Sequence, residues 1–142
     1  GVSKEQLAEE EAELFLPAHE NKYGFTLAVK HNMLVPSAGI DESNADGQFV
    51  LWPTDPQKSA NQARAYLAKR FSLKNVGVII TDSRATPLRW GTTGAALSHS
   101  GFAALNDYIG TPDIFGRKLE VTKANVRDAL AAAAVVVMGE GA

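Results

Sequence analysis

Two carboxylates that each follow a short apolar segment are the residues best suited to chemistry in this sequence. Asp82 comes directly after the run 76–81 and is followed by Ser83, whereas Asp41 follows Ile40 in the polar segment 37–44. Carboxylate and hydroxyl oxygens are the ligands that hard cations such as Mg²⁺ and Mn²⁺ prefer. Two carboxylates in one crevice repel each other unless a cation lies between them. The functional interpretation of this pattern is one divalent-metal site shared by Asp41 and Asp82.

The residue types also allow a simpler interpretation, and on their own they favour it. Asp82 and Ser83 would then form a turn in which their side chains bond to their own backbone. Segment 37–44 would be a solvated loop. Arg84 and Arg89 follow Asp82 and are predicted to stand at the mouth of an anionic site, although both could equally be surface residues.

A buried strand is predicted to position Asp82. The run 76–80 is short, apolar and rich in β-branched residues, and polar residues bound it, which is typical of a strand covered on both faces. The run 126–137 is nearly all apolar and predicts a core helix. We expect both runs to lie in the core, with Ile79 as a representative residue.

The first half of the chain alternates helix and strand signals. Ser3 and Gln6 have capping-box spacing and predict a helix through about Leu14, ended by Pro17. Alternation over 24–30 and the apolar segment 33–35 predict a hairpin that turns at His31 and Asn32. A short strand over 48–52 follows. The second helix is predicted to begin at Asp55-Pro56, with an inner stripe of Ala60, Ala63, Leu67 and Phe71.

The second half is predicted from weaker signals. An extended segment of small residues covers 90–97, where backbone or ligand can approach closely. A short helix over 102–108, a loop over 111–117 and a strand over 118–121 follow. Thr122 is predicted to cap the last helix and Gly139 to end it; the helix has an inner stripe of Val126, Leu130, Ala133, Ala134 and Val137. We predict one α+β domain over 1–142, with a mixed sheet and packed helices.

The composition argues against several classes of protein. Lys and Arg total 14 against 16 Asp and Glu, a formal net charge of -2, which argues against a nucleic-acid partner. Cysteine is absent, which excludes disulfides and fits a cytoplasmic location. No apolar run approaches the roughly 18 residues that a membrane span needs. Without an initiator Met or a signal-peptide pattern at Gly1, and with a terminus at Gly139-Glu140-Gly141-Ala142, the chain is expected to be a fragment.

Five blocks occur in an order that is specific only when they are taken together. They are Ser37–Asn44, the Asp55-Pro56 helix with Ser59-Ala60, Val76–Ser83, Asp113–Thr122 and Met138–Gly141. In this order they resemble the coenzyme F-420 γ-glutamyl ligase family over roughly residues 20–142. The resemblance implies an α+β fold that forms a homodimer.

The resemblance also implies an activity and its site. Family members use a nucleoside triphosphate, GTP or ATP, to couple L-glutamate to an anionic acceptor through an acyl phosphate. Asp41, Asp82 and Ser83 would hold Mg²⁺ or Mn²⁺, Asn44 and Gly139-Glu140-Gly141 would contact the nucleotide, and Arg89 would stabilise phosphoryl charge. This chemistry needs no strong protein nucleophile.

Departures from the family pattern leave the identity of the acceptor open. The loop after the central Asp usually reads Gly-Arg-Pro, but here it reads Ala85-Thr86-Pro87, and the glycine-rich end of the next segment is replaced at 95–99. Either the coenzyme F-420 precursor or folate could be the acceptor. A catalytically inactive family member that binds a nucleotide or pterin is the main alternative, and an unrelated structural or partner-binding domain is a third hypothesis.

Overall fold

The computed structural model describes residues 1–86 and 88–141. Pro87, which belongs to the unusual loop 85–87, and Ala142 lie outside the described residues. The described chain divides into two compact units, the first built from 1–54, 82–93 and Gly141 and the second from 55–81 and 94–140. In the described part of the chain, no helix is long and apolar enough to cross a membrane.

The first unit begins with helix α1, Lys4–Glu11, and the predicted capping box is confirmed. Ser3 Oγ accepts the Gln6 backbone N–H, and Gln6 Oε1 accepts the Ser3 backbone N–H. The predicted end at Leu14 is wrong, because the backbone becomes extended at Ala12. Leu14–Leu16 then forms strand β1, whose pairing with a neighbouring strand outweighs local helix propensity.

The predicted hairpin is confirmed as β2, Leu27–Lys30, and β3, Met33–Pro36. These strands pair antiparallel, and β1 pairs antiparallel with the other edge of β2. His31 and Asn32 both have positive φ, 49° and 59°. Two left-handed residues give the turn a twist that matches the two strands.

The more buried face of β2 includes polar side chains. Thr26, Ala28 and Lys30 are buried, whereas Leu27 and Val29 are half-buried. The Lys30 ammonium forms an ion pair with the Glu11 carboxylate of α1, which offsets the cost of burying the charge. The apolar core of this unit consists of Ala8, Ala28, Ala38 and Ile40.

A 3₁₀ turn over Ser37–Gly39 connects β3 to the polar segment; another occupies Ala18–Glu20. The strand predicted over 48–52 is reduced to one antiparallel bridge between Asp41 and Val50. The Asp41 N–H donates to Val50 O at 3.1 Å, and the Val50 N–H donates to Asp41 O at 2.8 Å. This bridge fixes the backbone of Asp41.

Strand β4 is Val78–Ala85, and it pairs with β5, Thr92–Ser100. The strand expected over 76–80 is therefore confirmed in kind, but it continues through Asp82 and Ser83. The turn interpretation of Asp82 and Ser83 is wrong for that reason, although the Asp82 side chain accepts a neighbouring backbone N–H as that interpretation expected. The expectation of full burial is also wrong, since Val78, Ile79 and Ile80 are half-buried in a sheet of two strands.

The second unit begins with helix α2, Pro56–Arg70, and the Asp55 side chain accepts the Lys58 backbone N–H as predicted. Of its predicted inner stripe, Ala60 is buried, while Phe71 is exposed beyond the last turn. The helix predicted over 102–108 and the strand over 118–121 are both wrong. Instead β6, Leu105–Asp107, pairs antiparallel with β7, Lys123–Asn125.

Helix α3, Val126–Met138, is capped by Asn125 rather than Thr122, because β7 occupies the residues before it. Gly139 is its C-cap, as predicted. Ala131 is buried, whereas Val136 and Val137 are 84% and 87% exposed, so the core prediction holds only for part of the helix. Within residues 1–86 and 88–141, three α-helices and small sheets confirm the α+β class. The sheets whose register the structure gives are antiparallel, so the expected single mixed sheet is wrong.

Candidate metal and nucleotide site

The Asp82 carboxylate is held from two sides within β4. Its Oδ2 atom accepts the indole N–H of Trp52 at 2.8 Å, and its Oδ1 atom accepts the Ser83 backbone N–H at 2.8 Å. The residue is half-buried. A carboxylate has two oxygens with two lone pairs each, and such oxygens are ligands that hard cations prefer.

Trp52 is buried, and its ring packs against the backbone segment just before Asp41. A Cβ atom on Gly39 would lie 2.3 Å from Trp52 Nε1, so the indole packs directly on the Gly39 backbone. The His31 imidazole stacks on the indole with ring centroids 6.1 Å apart, and Lys30 Nζ lies 5.7 Å from the ring centroid. One side chain thus contacts Asp82 and the backbone two residues before Asp41.

Asp41 is exposed, and its Oδ1 atom accepts the backbone N–H groups of Glu42 at 2.7 Å and Ser43 at 2.9 Å. Hydrogen bonds from the Ser43 backbone and hydroxyl are the main reason that the pKa of Asp41 is lowered below its ordinary value. Burial opposes this by raising the pKa, and the Glu42 N–H and the nearby positive charge of Lys4 lower it further. Asp41 is therefore ionised at neutral pH.

These donors fit a hard, partly hydrated cation. Within residues 1–86 and 88–141, no group of three or more His, Asp or Glu side chains is arranged to hold a metal ion. Asp41 and Asp82 would thus supply two carboxylates, and hydroxyl, water and phosphate oxygens would complete the shell. Mg²⁺ favours this arrangement, because it keeps several waters and binds through one or two carboxylates plus substrate phosphates.

Alternation along β4 separates the predicted ligands. Successive side chains of a strand point to opposite faces, so Ser83 is directed away from the face that carries Asp82. Arg84 shares the face of Asp82, two residues further along the strand. Its Nε atom is buried and has no hydrogen-bond partner in the described part of the chain. A buried donor without an acceptor costs free energy, which an anionic ligand would recover.

The structure brings most of the predicted site residues into the first unit: Asp41, Asn44, Asp82, Ser83, Arg89 and Gly141. Asn44 is exposed in the loop after Asp41, with φ of 54°. Gly139 and Glu140 belong to the second unit at the end of α3, where the Gly139 N–H donates to Val135 O at 2.8 Å.

An apolar pocket of about 430 Å³ begins at the end of β4. Arg89 is the charged residue on its wall, and the stacked rings of Tyr23 and Phe25, with centroids 5.9 Å apart, form one side. The other lining residues lie on β2, on β3, at the end of β4 and in the loop after it: Leu27, Leu34, Pro36, Ala85, Thr86 and Leu88. Its volume suits a small molecule with a flat apolar part and an anionic group.

Sequence patterns predict neither the role of Trp52 nor the pocket. Trp52 is the last residue of the strand predicted over 48–52, and its partner lies thirty residues further along the chain. One signal was available, since a buried Trp has an N–H that needs an acceptor and Asp82 is an acceptor next to an apolar run. The pocket unites residues from three separate segments, and no periodicity reveals such a grouping.

Comparison with known proteins gives one consistent result. The family model described as F420-0:Gamma-glutamyl ligase matches residues 5–142. A protein of Methanococcus maripaludis named coenzyme F420:L-glutamate ligase is 43% identical over 111 residues, which cover 78% of this chain and 44% of the relative. The protein of the same name from Archaeoglobus fulgidus is 45% identical over 106 residues, 74% of this chain and 42% of the relative.

The shared region covers part of each relative. The Methanopyrus kandleri protein, which carries the same name, is 42% identical over 113 residues, 79% of this chain and 44% of its own length. The chain thus spans less than half the length of the curated relatives it matches. Their shared name concerns the whole of each longer protein.

Proposed function

The chain belongs to the F420-0:gamma-glutamyl ligase family, and we propose that the protein joins L-glutamate to an acceptor carboxylate by way of an acyl phosphate. GTP or ATP supplies the phosphoryl group, and Mg²⁺ or Mn²⁺ is required. The observation that carries this proposal is the family match over residues 5–142. Placement of both carboxylates, Asn44 and Arg89 in one unit supports it.

Asp41 and Asp82 are proposed as the side-chain carboxylate ligands of the cation, with Ser83 as a further oxygen donor. Both carboxylates are oriented by N–H donors, which fixes the direction of their lone pairs. When bound, the cation neutralises phosphate oxygens and stabilises the charge that develops during phosphoryl transfer.

Asn44 and the Gly139–Gly141 segment are proposed to contact the nucleotide. The Asn44 amide is exposed and can both donate to and accept from a base or a phosphate. Gly139 has a positive φ, and a Cβ added to it would meet no atom within 4 Å, so the surface there is open. A phosphate could therefore approach the main chain of this segment closely.

The pocket at the end of β4 is proposed to receive the apolar part of the acceptor. Its wall begins at Ala85, roughly 10 Å along the strand from Asp82. A flat aromatic ring would pack against Tyr23 and Phe25 while Arg89 binds an anionic group. Both the coenzyme F420 precursor and folate combine a flat ring with carboxylates, so the pocket is compatible with either acceptor.

The proposed reaction has two steps. An oxygen of the acceptor carboxylate attacks the γ-phosphorus, the bond from that phosphorus to the β–γ bridging oxygen breaks, and the nucleoside diphosphate leaves. The glutamate amine attacks the acyl carbon of the acyl phosphate, the carbon–oxygen bond breaks, and inorganic phosphate leaves while the amine loses a proton. Arg84 and Arg89 supply positive charge for the phosphoryl oxygens, and no covalent bond to the protein is required.

A coupled assay of nucleotide hydrolysis tests this function directly. The protein is mixed with Mg²⁺, L-glutamate, GTP or ATP, and each candidate acceptor in turn, and the product is identified by its added glutamate mass. The proposal expects hydrolysis that depends on both acceptor and glutamate, and that Asp82→Asn abolishes. Nucleotide or pterin binding without any conjugate would instead support the catalytically inactive alternative. A homodimer, to be checked by light scattering, and a cytoplasmic location stay predictions.

A further inference from the structure

We infer that Trp52 is a positioning residue for Asp82: its indole N–H fixes the carboxylate in the orientation in which it binds the divalent cation. This inference rests on the proposed metal role of Asp82. The hydrogen bond is 2.8 Å long, and Trp52 is buried, with 8% of its surface exposed. The contact joins residues thirty positions apart within the first unit.

The indole cannot easily turn away from Asp82. The Asp41–Val50 bridge sets an antiparallel register, and two further residues along each chain place Trp52 opposite Gly39. The ring packs so tightly there that a Cβ on Gly39 would overlap it. His31 stacks on the ring, and the Lys30 ammonium lies near its face. A donor held by packing on several sides is a preorganised donor.

The chemistry of the donor suits a metal ligand. An indole N–H is neutral and only donates. It therefore orients the Asp82 carboxylate through a hydrogen bond and brings no charge of its own to the site. Such partners of metal ligands fix ligand geometry, and their loss typically weakens metal affinity by about 10- to 100-fold.

The same indole connects the two proposed ligands. It bonds to the Asp82 carboxylate and packs on Gly39, two residues before Asp41. The Asp41 backbone is in turn held by Val50, two residues before Trp52. Loss of the N–H should therefore release Asp82, whereas loss of the ring should also disturb the approach to Asp41.

The test is Mn²⁺ binding to the protein, followed by electron paramagnetic resonance, in a double-mutant cycle. Trp52→Phe keeps an aromatic ring but removes the N–H, and Trp90→Phe is the matched control, because Trp90 is fully exposed. We expect Trp52→Phe to weaken Mn²⁺ binding by about tenfold and Trp90→Phe to leave it unchanged. In an Asp82→Asn background, Trp52→Phe should have no further effect, because its action passes through Asp82.

A second measurement uses the unaltered binding site. The chain has two Trp residues, so Trp90→Phe leaves the Trp52 indole as the one side-chain N–H signal of its kind in a ¹H–¹⁵N spectrum. Mg²⁺ should shift that signal, and Asp82→Asn should remove the Mg²⁺-dependent shift. This readout does not depend on how well a Trp52 variant folds.

The outcomes separate the two levels of the proposal. In one outcome, Asp82→Asn abolishes Mn²⁺ binding, Trp52→Phe leaves it intact and Mg²⁺ does not shift the indole signal. This outcome would overturn the positioning role of Trp52 but not the proposed function. The positioning role would also be overturned if Trp52→Phe weakened Mn²⁺ binding by the same factor in the unaltered protein and in the Asp82→Asn background. Absence of Mn²⁺ binding to the unaltered protein, with or without nucleotide, would overturn both.

Discussion

Gly39 lies so close to Trp52 that a Cβ atom at this position would sit 2.3 Å from the indole nitrogen. Its φ of 73° adds backbone strain for any other residue. Gly39→Ala should therefore destabilise the first unit by about 1–3 kcal/mol through overpacking, and by more if the φ strain adds fully. The free energy of unfolding from urea titration measures this cost.

Gly47→Ala is the matched control for that substitution. Gly47 also has a positive φ, 77°, but a Cβ there would meet no atom within 4 Å. The control isolates the backbone strain, and the difference between the two variants isolates the contact with Trp52. If both variants lost the same stability, the tight packing of Gly39 on the indole would be contradicted.

Asp107 provides a pH-dependent prediction in the second unit. Its carboxylate accepts the Ile109 N–H at 2.9 Å and pairs with Lys123 across β6 and β7 at 2.9 Å. The Ile109 hydrogen bond, followed by the Lys123 contact, lowers the pKa of Asp107. Because the folded pKa lies below the unfolded value, the stabilisation is present above the unfolded pKa and is lost as pH falls through the folded pKa.

Melting temperatures between pH 2 and 7 test this sign in Asp107→Asn. The variant should melt below the unaltered protein near neutral pH, and the two curves should converge in acid. The effect should be small, since the ion pair is exposed and salt screens it. A difference that persisted or grew below the folded pKa would contradict the assignment.

Arg89 is predicted to act in ligand binding and not in folding. Its side chain is exposed on the wall of the apolar pocket. Arg89→Ala should weaken binding of nucleotide or acceptor by about 1.5–3 kcal/mol, the range for hydrogen bonds to charged groups, while the melting temperature stays nearly constant. Calorimetry with each ligand measures the affinity, and Arg117→Ala, another exposed Arg substitution outside the pocket, is the control. Unaltered affinity for both ligands would make Arg89 a surface residue.

Local signals predicted the beginnings of α1 and α2 correctly. Ser3 and Asp55 cap their helices because a side-chain oxygen and a backbone N–H three residues later are sufficient for the interaction. The hairpin at His31-Asn32 was predictable because alternation and a two-residue turn specify its register. These features depend on interactions between residues that are close in the sequence, so local patterns reveal them.

Pairings between distant segments were not predictable in this way. Leu105–Asp107 is a strand because it meets Lys123–Asn125. The β-branched run around Ile79 predicted a strand but not its degree of burial, which depends on how many strands flank it. Ile79→Asp should consequently cost less than the several kcal/mol expected for a fully buried site. The Trp52–Asp82 bond likewise depends on a long-range contact that no local pattern encodes.

The central claim is that Asp41 and Asp82 bind one divalent cation together with the nucleotide. Titration of Mn²⁺ into the unaltered protein, Asp41→Asn and Asp82→Asn, each with and without GTP or ATP, tests it most directly. We expect nucleotide to strengthen Mn²⁺ binding in the unaltered protein and either substitution to remove most of this cooperativity without unfolding the protein. Unchanged Mn²⁺ affinity and cooperativity in both variants would contradict the shared site, and the catalytic assignment with it.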